Sequence, residues 1–296
     1  MLLNLCRHTS LRMNELVPEI RKRLNTVYDS SEADWLVRCI MEDVCGMSRA
    51  DMLVKDIKIP AEKKRRAEQV VARLMQREPY QYITGRMCFC GIPLYVSPSV
   101  LIPRPETAEL VCRIAERECG NTPLRILDLC TGSGCIAVAL AKKIKDAELF
   151  AADISAEALE VARRNARENG VEVKFAECDI LGDIRQLPSN VDVIVSNPPY
   201  VTESEKKDMD ANVLGYEPHR ALFVPDEAPL LFYSRIADIG HTLLSPQGRL
   251  YLEINSAYAG ETARMLEQKG YSAIEIRKDF YNNARFIECV LKRTTT

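Results

Sequence analysis

The sequence predicts an α/β fold: a doubly wound open sheet of seven strands, the last antiparallel, with helices on both faces and a small helical bundle in front of it. Three observations carry that expectation. From about residue 106 onward, short β-type apolar runs alternate with helical segments, the order that builds a mostly parallel sheet with both faces covered. Ile126-Leu127-Asp128-Leu129 runs through Cys130-Thr131-Gly132-Ser133-Gly134 into the helical stretch 136–144, so strand, glycine turn and helix follow without a break. Residues 14–78 lack β-type runs and place apolar residues at three- and four-residue steps, the period of amphipathic helices.

In the bundle, Leu16, Ile20, Leu24 and Val27 mark one helix, and Trp35, Leu36, Cys39, Ile40 and Val44 mark a second. Ser30 or Ser31 is the expected cap of the second helix. A third helix carries Lys63-Lys64-Arg65-Arg66 near its start, before Val70, Val71 and Leu74; such a run is read as a solvated face. Residues 79–105 change character, with Tyr80, Tyr82, Gly85, Phe89, Gly91, Tyr95 and several prolines, and read as a hairpin and connecting loop between two domains. The domains are therefore drawn as 1–78, a linker 79–105, and 106–296. The expected strands are 125–129, 148–152, 173–176, 191–196, 249–254, 272–277 and 286–291. Asp279-Phe280-Tyr281-Asn282-Asn283 joins the last two without a helix, which sets an antiparallel hairpin at one end of the sheet.

Composition limits the function. A chain of 296 residues with 47% hydrophobic content can bury a large core. A net charge of −2, from 40 basic and 42 acidic residues, speaks against sequence-blind gripping of a phosphate backbone. The 11 cysteines are odd in number and form no Cys-x-x-Cys pair, and only 3 histidines accompany them. Neither a disulfide framework nor a metal site is expected, and the thiols are read as reduced and mostly buried. With no bilayer-length apolar stretch and no secretory signal in residues 1–10, the expected location is the cytoplasm. Arg7, His8 and Arg12 stand without an acid, a composition shared with organellar transit peptides. Residues 1–12 are read instead as a frayed leader, with Met13-Asn14-Glu15 as an alternative start.

The chemistry is concentrated after the fourth expected strand, where Val191-Asp192-Val193-Ile194-Val195-Ser196 leads into Asn197-Pro198-Pro199-Tyr200. Alone, this is a turn sequence. Both prolines fix φ and offer no N–H, and each forces its predecessor into extended geometry, so the segment is a rigid set of oxygen acceptors. Such a set suits a planar NH2 group. At the carboxyl edge of an open sheet, Asn197 Oδ1 and the Pro198 carbonyl can each accept one hydrogen of that group, while Tyr200 covers its face. The glycine turn, Cys130, Thr131, Gly132, Ser133 and Gly134, brings backbone N–H groups to a ligand. Asp128 before it disfavours a pyrophosphate and suits a ligand with positive charge, as S-adenosylmethionine has. Asp153, ending the second strand, can accept from ribose hydroxyls, and Asp179 with Ile180 can hold the adenine amino group and ring. Each acid taken singly also reads as a helix or turn cap.

These residues resemble the PrmC/HemK family, S-adenosylmethionine-dependent methyltransferases that modify the glutamine of the Gly-Gly-Gln tripeptide in class I peptide chain release factors. The resemblance covers 79–85 (Pro-Tyr-Gln-Tyr-Ile-Thr-Gly), 101–107 (Leu-Ile-Pro-Arg-Pro-Glu-Thr), the glycine turn, Asn197 to Tyr200, and 216–222 (Tyr-Glu-Pro-His-Arg-Ala-Leu). Arg104-Pro105-Glu106-Thr107 separates it from the related ribosomal-protein glutamine methyltransferases. The resemblance implies a Rossmann-like class I methyltransferase sheet, S-adenosylmethionine as cofactor with S-adenosylhomocysteine as product, and no metal. It also implies that Arg104 to Thr107 shapes the cofactor entrance and that Asn197, Pro198, Pro199 and Tyr200 hold the glutamine. The bundle is expected to recognise the release factor, and the expected assembly is a monomer without nucleic acid or membrane contacts. Residue by residue, Arg104-Pro105-Glu106-Thr107 also reads as a helix start. Departures are Cys130 at the usual first glycine, Ala108 at a usual glutamate, and Val224-Pro225 at a usual glycine pair. The competing reading is an amino-methyltransferase for adenine in DNA or RNA, which holds the same chemical group; a further one is a helical adaptor carrying an inactive methyltransferase domain.

Overall fold

A computed structural model describes residues 11–48, 50–54, 57–120 and 123–292. The leader expectation for residues 1–12 thus falls almost wholly outside the described residues. The chain divides between Thr84 and Gly85 into two compact units, so the stretch 79–105 is shared between them.

The first unit is helical, as its periodicity predicts. Helices α1 (Met13–Leu24), α2 (Ser30–Cys39), α3 (Ala61–Leu74) and the short α4 (Tyr80–Thr84) bury Leu16, Ile20, Leu24, Leu36, Val71 and Leu74 in one core. The cap of α2 differs from expectation: Asp29 takes the position, its carboxylate accepting from the backbone N–H groups of Ser31 and Glu32. An acid one residue earlier serves better because its charge also faces the positive end of the helix. A short antiparallel pairing of Leu11–Arg12 with Lys58–Ile59 was not foreseen.

The second unit opens with an antiparallel hairpin, Arg86–Phe89 against Ile92–Tyr95. Its turn sets Cys90 and Gly91 at φ of 51° and 80°, the two positive values that match strand twist in a tight hairpin. Helix α5 (Pro105–Arg117) leads to strand β1 (Arg125–Leu129), α6 (Cys135–Lys143), β2 (Glu148–Asp153), α7 (Ala156–Glu168), β3 (Lys174–Glu177) and β4 (Val191–Ser196). After α8 (Ala211–Tyr216) and α9 (Leu231–Leu243) come β5 (Leu244–Glu253), α10 (Ala259–Gln268), β6 (Tyr271–Lys278) and β7 (Ala284–Leu291). The sheet order is β3-β2-β1-β4-β5-β7-β6. Strand β7 runs antiparallel to both β5 and β6, and the other neighbours are parallel. All seven expected strands are present within a few residues; β5 starts earlier than 249 and crosses a register irregularity between Leu244 and Arg249.

Side-chain alternation sends successive strand residues to opposite faces. Ile126, Val193, Val195 and Tyr251 pack under α5 and α6, while Leu127, Leu129, Ile194, Leu250 and Leu252 pack under α9 and α10. Chain order reverses at β1, whose neighbours are β2 on one side and β4 on the other. A crevice therefore opens at the carboxyl ends of these strands, where such sheets take ligands.

Candidate active site

A cavity of about 530 Å³ occupies that crevice. One wall is the glycine turn. Gly132 and Gly134 lie at φ of 54° and 76°, conformations that favour residues without a Cβ. A Cβ on Gly134 would stand 2.9 Å from the Ala162 Cβ, so the residue lets α6 and α7 approach closely. Open space faces Gly132. Cys130 also adopts a positive φ, 60°, which explains why a glycine is the easier residue there. Burial pushes the thiols of Cys130 and Cys135 up, so both stay protonated on the wall. Of the ten described cysteines, all free, four are buried and Cys88 and Cys119 are exposed, so "mostly buried" overstates their burial.

Asp153, Asp179 and Ile180 all line the cavity. Asp153 Oδ2 accepts from Gly132 N at 2.8 Å and Oδ1 from Ser155 N at 3.0 Å. A carboxylate has about four acceptor directions, and Gly132, Ser155 and Ile154 backbone groups take three of them, so acceptor capacity remains for a hydroxyl donor. Burial raises the Asp153 pKa from its ordinary value. Asp179 Oδ1 accepts from Leu181 N at 2.9 Å. Ile154, Ala158, Ile180, Leu181 and Phe232 make this end apolar, a surface for a flat ring. Ser133 is one of the polar residues on the cavity wall. An adenosyl group with an amino-acid tail matches this set. Among the described residues no cluster of three or more His, Cys, Asp or Glu could hold a metal.

Asp128 does not present a charge to the ligand. It is fully buried, absent from the cavity wall, and its Oδ2 accepts from the Thr131 hydroxyl at 2.5 Å. Desolvation pushes its pKa up to about 7. Its role here is to brace the turn, because a side chain at that point of β1 faces the packed layer and not the crevice.

Asn197 and Pro199 line the cavity; Pro198 and Tyr200 are not among the lining residues. The Tyr200 hydroxyl donates to Glu253 Oε1 at 3.1 Å, which anchors the far end of this side chain. Asn197 Nδ2 donates to Thr107 Oγ1 at 3.0 Å, and Thr107 Oγ1 donates to Glu253 Oε2 at 2.7 Å. Glu253 is buried at the end of β5, and desolvation pushes its pKa up to about 7. Residues 101–107 and 216–222 meet through Glu217, whose carboxylate accepts from Arg104 Nη2 at 2.6 Å and from Ile102 N at 3.2 Å. Leu101 and Pro103 from one run and Pro218 and Arg220 from the other line the cavity. Pro105 opens α5, so the helix-start reading of Arg104 to Thr107 holds alongside a place at the cavity.

Sequence reasoning passed over Glu253 and Asn165, and it quoted Glu217 only within the run 216–222, with no role of its own. Buried Asn165 exchanges hydrogen bonds with both backbone groups of Tyr95, at 2.7 and 2.9 Å, and donates to Ser133 O, tying the hairpin to the glycine turn. Glu253 had a signal: an acid ending the apolar run Leu250-Tyr251-Leu252. For Glu217 the run marks the residue but not its partners, which lie far along the chain, and for Asn165 no local pattern marks either.

Two family models match, the PrmC N-terminal domain over residues 15–85 and the methyltransferase small domain over residues 107–217. The release factor glutamine methyltransferase of Bacteroides thetaiotaomicron is 46% identical over 276 residues, 93% of this chain and 99% of that protein. This chain belongs to the release factor glutamine methyltransferase family. The family member from Flavobacterium psychrophilum is 41% identical, with 90% of this chain and 94% of the relative covered. Among solved structures, the catalytic domain of hMettl16 in complex with MAT2A 3'UTR hairpin 6 aligns with a TM-score of 0.54 at 16% identity, covering 79% of this chain and 83% of that one. At that identity it shows the methyltransferase fold alone. Family membership makes this protein an S-adenosylmethionine-dependent protein-glutamine methyltransferase.

Proposed function

We propose that the protein transfers a methyl group from S-adenosylmethionine to the side-chain amide nitrogen (N5) of the glutamine in the Gly-Gly-Gln tripeptide of class I peptide chain release factors, leaving S-adenosylhomocysteine. The observation that carries this reading is the Asn197 carboxamide on the wall of a cavity whose far end suits a nucleoside, in a chain of this family. Asp153 holds the ribose hydroxyls, Asp179 and Ile180 hold the adenine, and Cys130, Thr131, Gly132 and Ser133 border the amino-acid tail, while Gly134, outside the cavity lining, serves the turn by letting α7 approach.

When bound, the cofactor supplies a methyl group on a positively charged sulfur. The difficulty lies with the acceptor, because the lone pair of an amide nitrogen is delocalised. Acceptors on its two hydrogens strengthen as the nitrogen becomes positive, which favours the transition state over the ground state. Asn197 Oδ1, on the cavity wall, fills that role, and the carbonyl of Pro198, which is itself outside the lining, is the second acceptor assigned to it by the motif. Pro198 and Pro199 contribute no competing N–H, and Pro199 helps exclude water. The methylated nitrogen is strongly acidic, so its proton passes to water and no side chain serves as base.

The bundle recognises the release factor away from the glutamine, since a tripeptide with two glycines offers little to grip. Deleting it should weaken activity on the intact factor and spare cofactor binding. Among the described residues no helix is long and apolar enough to cross a membrane, and we take the protein to act in the cytoplasm as a monomer. The deciding experiment incubates it with labelled cofactor and, in separate tubes, a release factor, DNA and RNA. A gain of one methyl group mapped to the tripeptide glutamine is expected. Label in nucleic acid and none in the factor would overturn the assignment.

A further inference from the structure

We infer that Glu253, acting through Thr107, fixes which end of the Asn197 carboxamide faces the substrate, making both of them positioning residues for methyl transfer. The inference rests on the reading that the cavity receives an NH2 group. An asparagine side chain carries an acceptor oxygen at one end and two N–H donors at the other, and its shape prefers neither orientation. Only the oxygen-out orientation accepts from an incoming amide. The reverse sets N–H groups against N–H groups.

The choice follows from counting hydrogens. An ionised carboxylate accepts only, and a threonine hydroxyl owns a single hydrogen. Thr107 Oγ1 gives that hydrogen to Glu253 Oε2 at 2.7 Å. What it has left for Asn197, 3.0 Å away, is a lone pair, which only Nδ2 can use. Asn197 Oδ1 is thereby turned from Thr107 and left for the cavity. The other Glu253 oxygen receives the Tyr200 hydroxyl at 3.1 Å, so that hydrogen is committed as well.

The surroundings keep Glu253 from doing anything simpler. The groups whose charge reaches it are Arg285 on β7 and Glu106 on α5, with Cys135 at the start of α6 and Tyr233 on α9 behind. Arg285 spends its hydrogen bonds on Asp279, at 3.2 Å, and the Ile254 carbonyl. Glu253 is thus held by two neutral hydroxyls. A buried carboxylate without a hydrogen-bonded cation is an expensive feature unless its acceptor-only character is used. Were Glu253 protonated, it could hand a hydrogen to Thr107, which could then donate to Asn197 Oδ1 and invert the amide.

The test uses the full-length protein, S-adenosylmethionine and a release factor in single turnover. In parallel, the Asn197 side-chain amide signal is followed in ¹⁵N-labelled protein without substrate, assigned by its loss in Asn197→Ala. Thr107→Val keeps the shape and removes the hydroxyl. It should slow transfer by about 10- to 100-fold, as loss of an orienting partner does elsewhere, with cofactor affinity within about twofold. Thr107→Ser should recover the rate to within about threefold of the parent, since it restores the same hydrogen bonds. Glu253→Leu should slow transfer comparably, and adding Thr107→Val to it should cost less than about threefold more, because both act through one amide. The Asn197 NH2 protons should be protected from water exchange in the parent and exposed in Thr107→Val. Full speed in Thr107→Val, no recovery in Thr107→Ser, or losses that simply multiply in the double variant would overturn the inference. If the parent protein methylates no release factor, the functional reading fails alone. The amide signal then decides this one: equal exchange in parent and Thr107→Val overturns it.

Discussion

Helix α5 meets strand β5 at both ends of the helix, and at each end a carboxylate is buried between them. At one, Glu118, just past the end of α5, is fully buried and accepts from Arg249 Nη1 at 2.6 and 2.8 Å and from the Tyr251 hydroxyl at 2.6 Å. At the other, Glu253 accepts, among the described residues, from the hydroxyls of Thr107 and Tyr200. The first is a charge neutralised in place, and it fastens helix to strand. The second is a charge left without a hydrogen-bonded cation, with its pKa pushed up to about 7 by burial. The difference teaches where to look for function in this fold: a buried acid with its own arginine holds structure, while one held by neutral donors beside a cavity governs a neighbour's orientation.

Substitutions at the two ends should therefore fail in different ways. The largest effect is expected at the cavity, where Asn197→Ala should slow single-turnover methyl transfer by about 100- to 1,000-fold, as removal of a preorganised polar group at a developing charge does. Its melting temperature should stay close to the parent's; a large drop would blur the contrast. Next, Arg249→Met strips Glu118 of its cation. Breaking a buried pair costs about 3–5 kcal/mol, and with Arg249 34% exposed we take the low end, about 3 kcal/mol. That corresponds to a fall of roughly 6–12 °C in melting temperature, while the rate per folded molecule should hold. A loss of rate at unchanged stability would merge the two regions again.

The smallest effect is a pH dependence. A carboxyl raised in the folded state stabilises fully below its ordinary pKa of 4.5, and that contribution is lost as pH rises through about 7. Glu253→Gln removes the titration, so the variant's melting temperature relative to the parent should be higher at pH 8 than at pH 5, by a few degrees. Asp128, also pushed up to about 7, adds the same trend to both proteins and cancels from the difference. Equal differences at the two pH values would mean that Glu253 is not held as an unpaired acid.

Much of this was legible beforehand, for reasons that differ from residue to residue. Strands β1 and β4 were readable because each is an apolar run closed by a turn signal. The glycine turn was readable because strand, turn and helix are contiguous. Asp153 and Asp179 lie at the crevice because Asp153 ends β2 and Asp179 follows the end of β3 by two residues, where topology alone brings strand ends together. Asp128 misled because its position beside the turn does not reveal which layer its side chain enters. For Tyr200 the motif supplied an aromatic ring next to Asn197 but gave no sign of the hydroxyl's partner, which lies 53 residues further on.

By itself the sequence determined the layer architecture, the strand positions, the turn chemistry and the presence of Asn197-Pro198-Pro199-Tyr200, because periodicity and backbone restriction act over a few neighbouring residues. Only the tertiary structure decided that Thr107 stands between Asn197 and a carboxylate 146 residues away from it, and that Glu118 bonds to an arginine while Glu253, among the described residues, bonds to none. Such pairings depend on how helix and strand are set across the sheet, and a hydrogen bond made there leaves no trace in the local pattern of either partner.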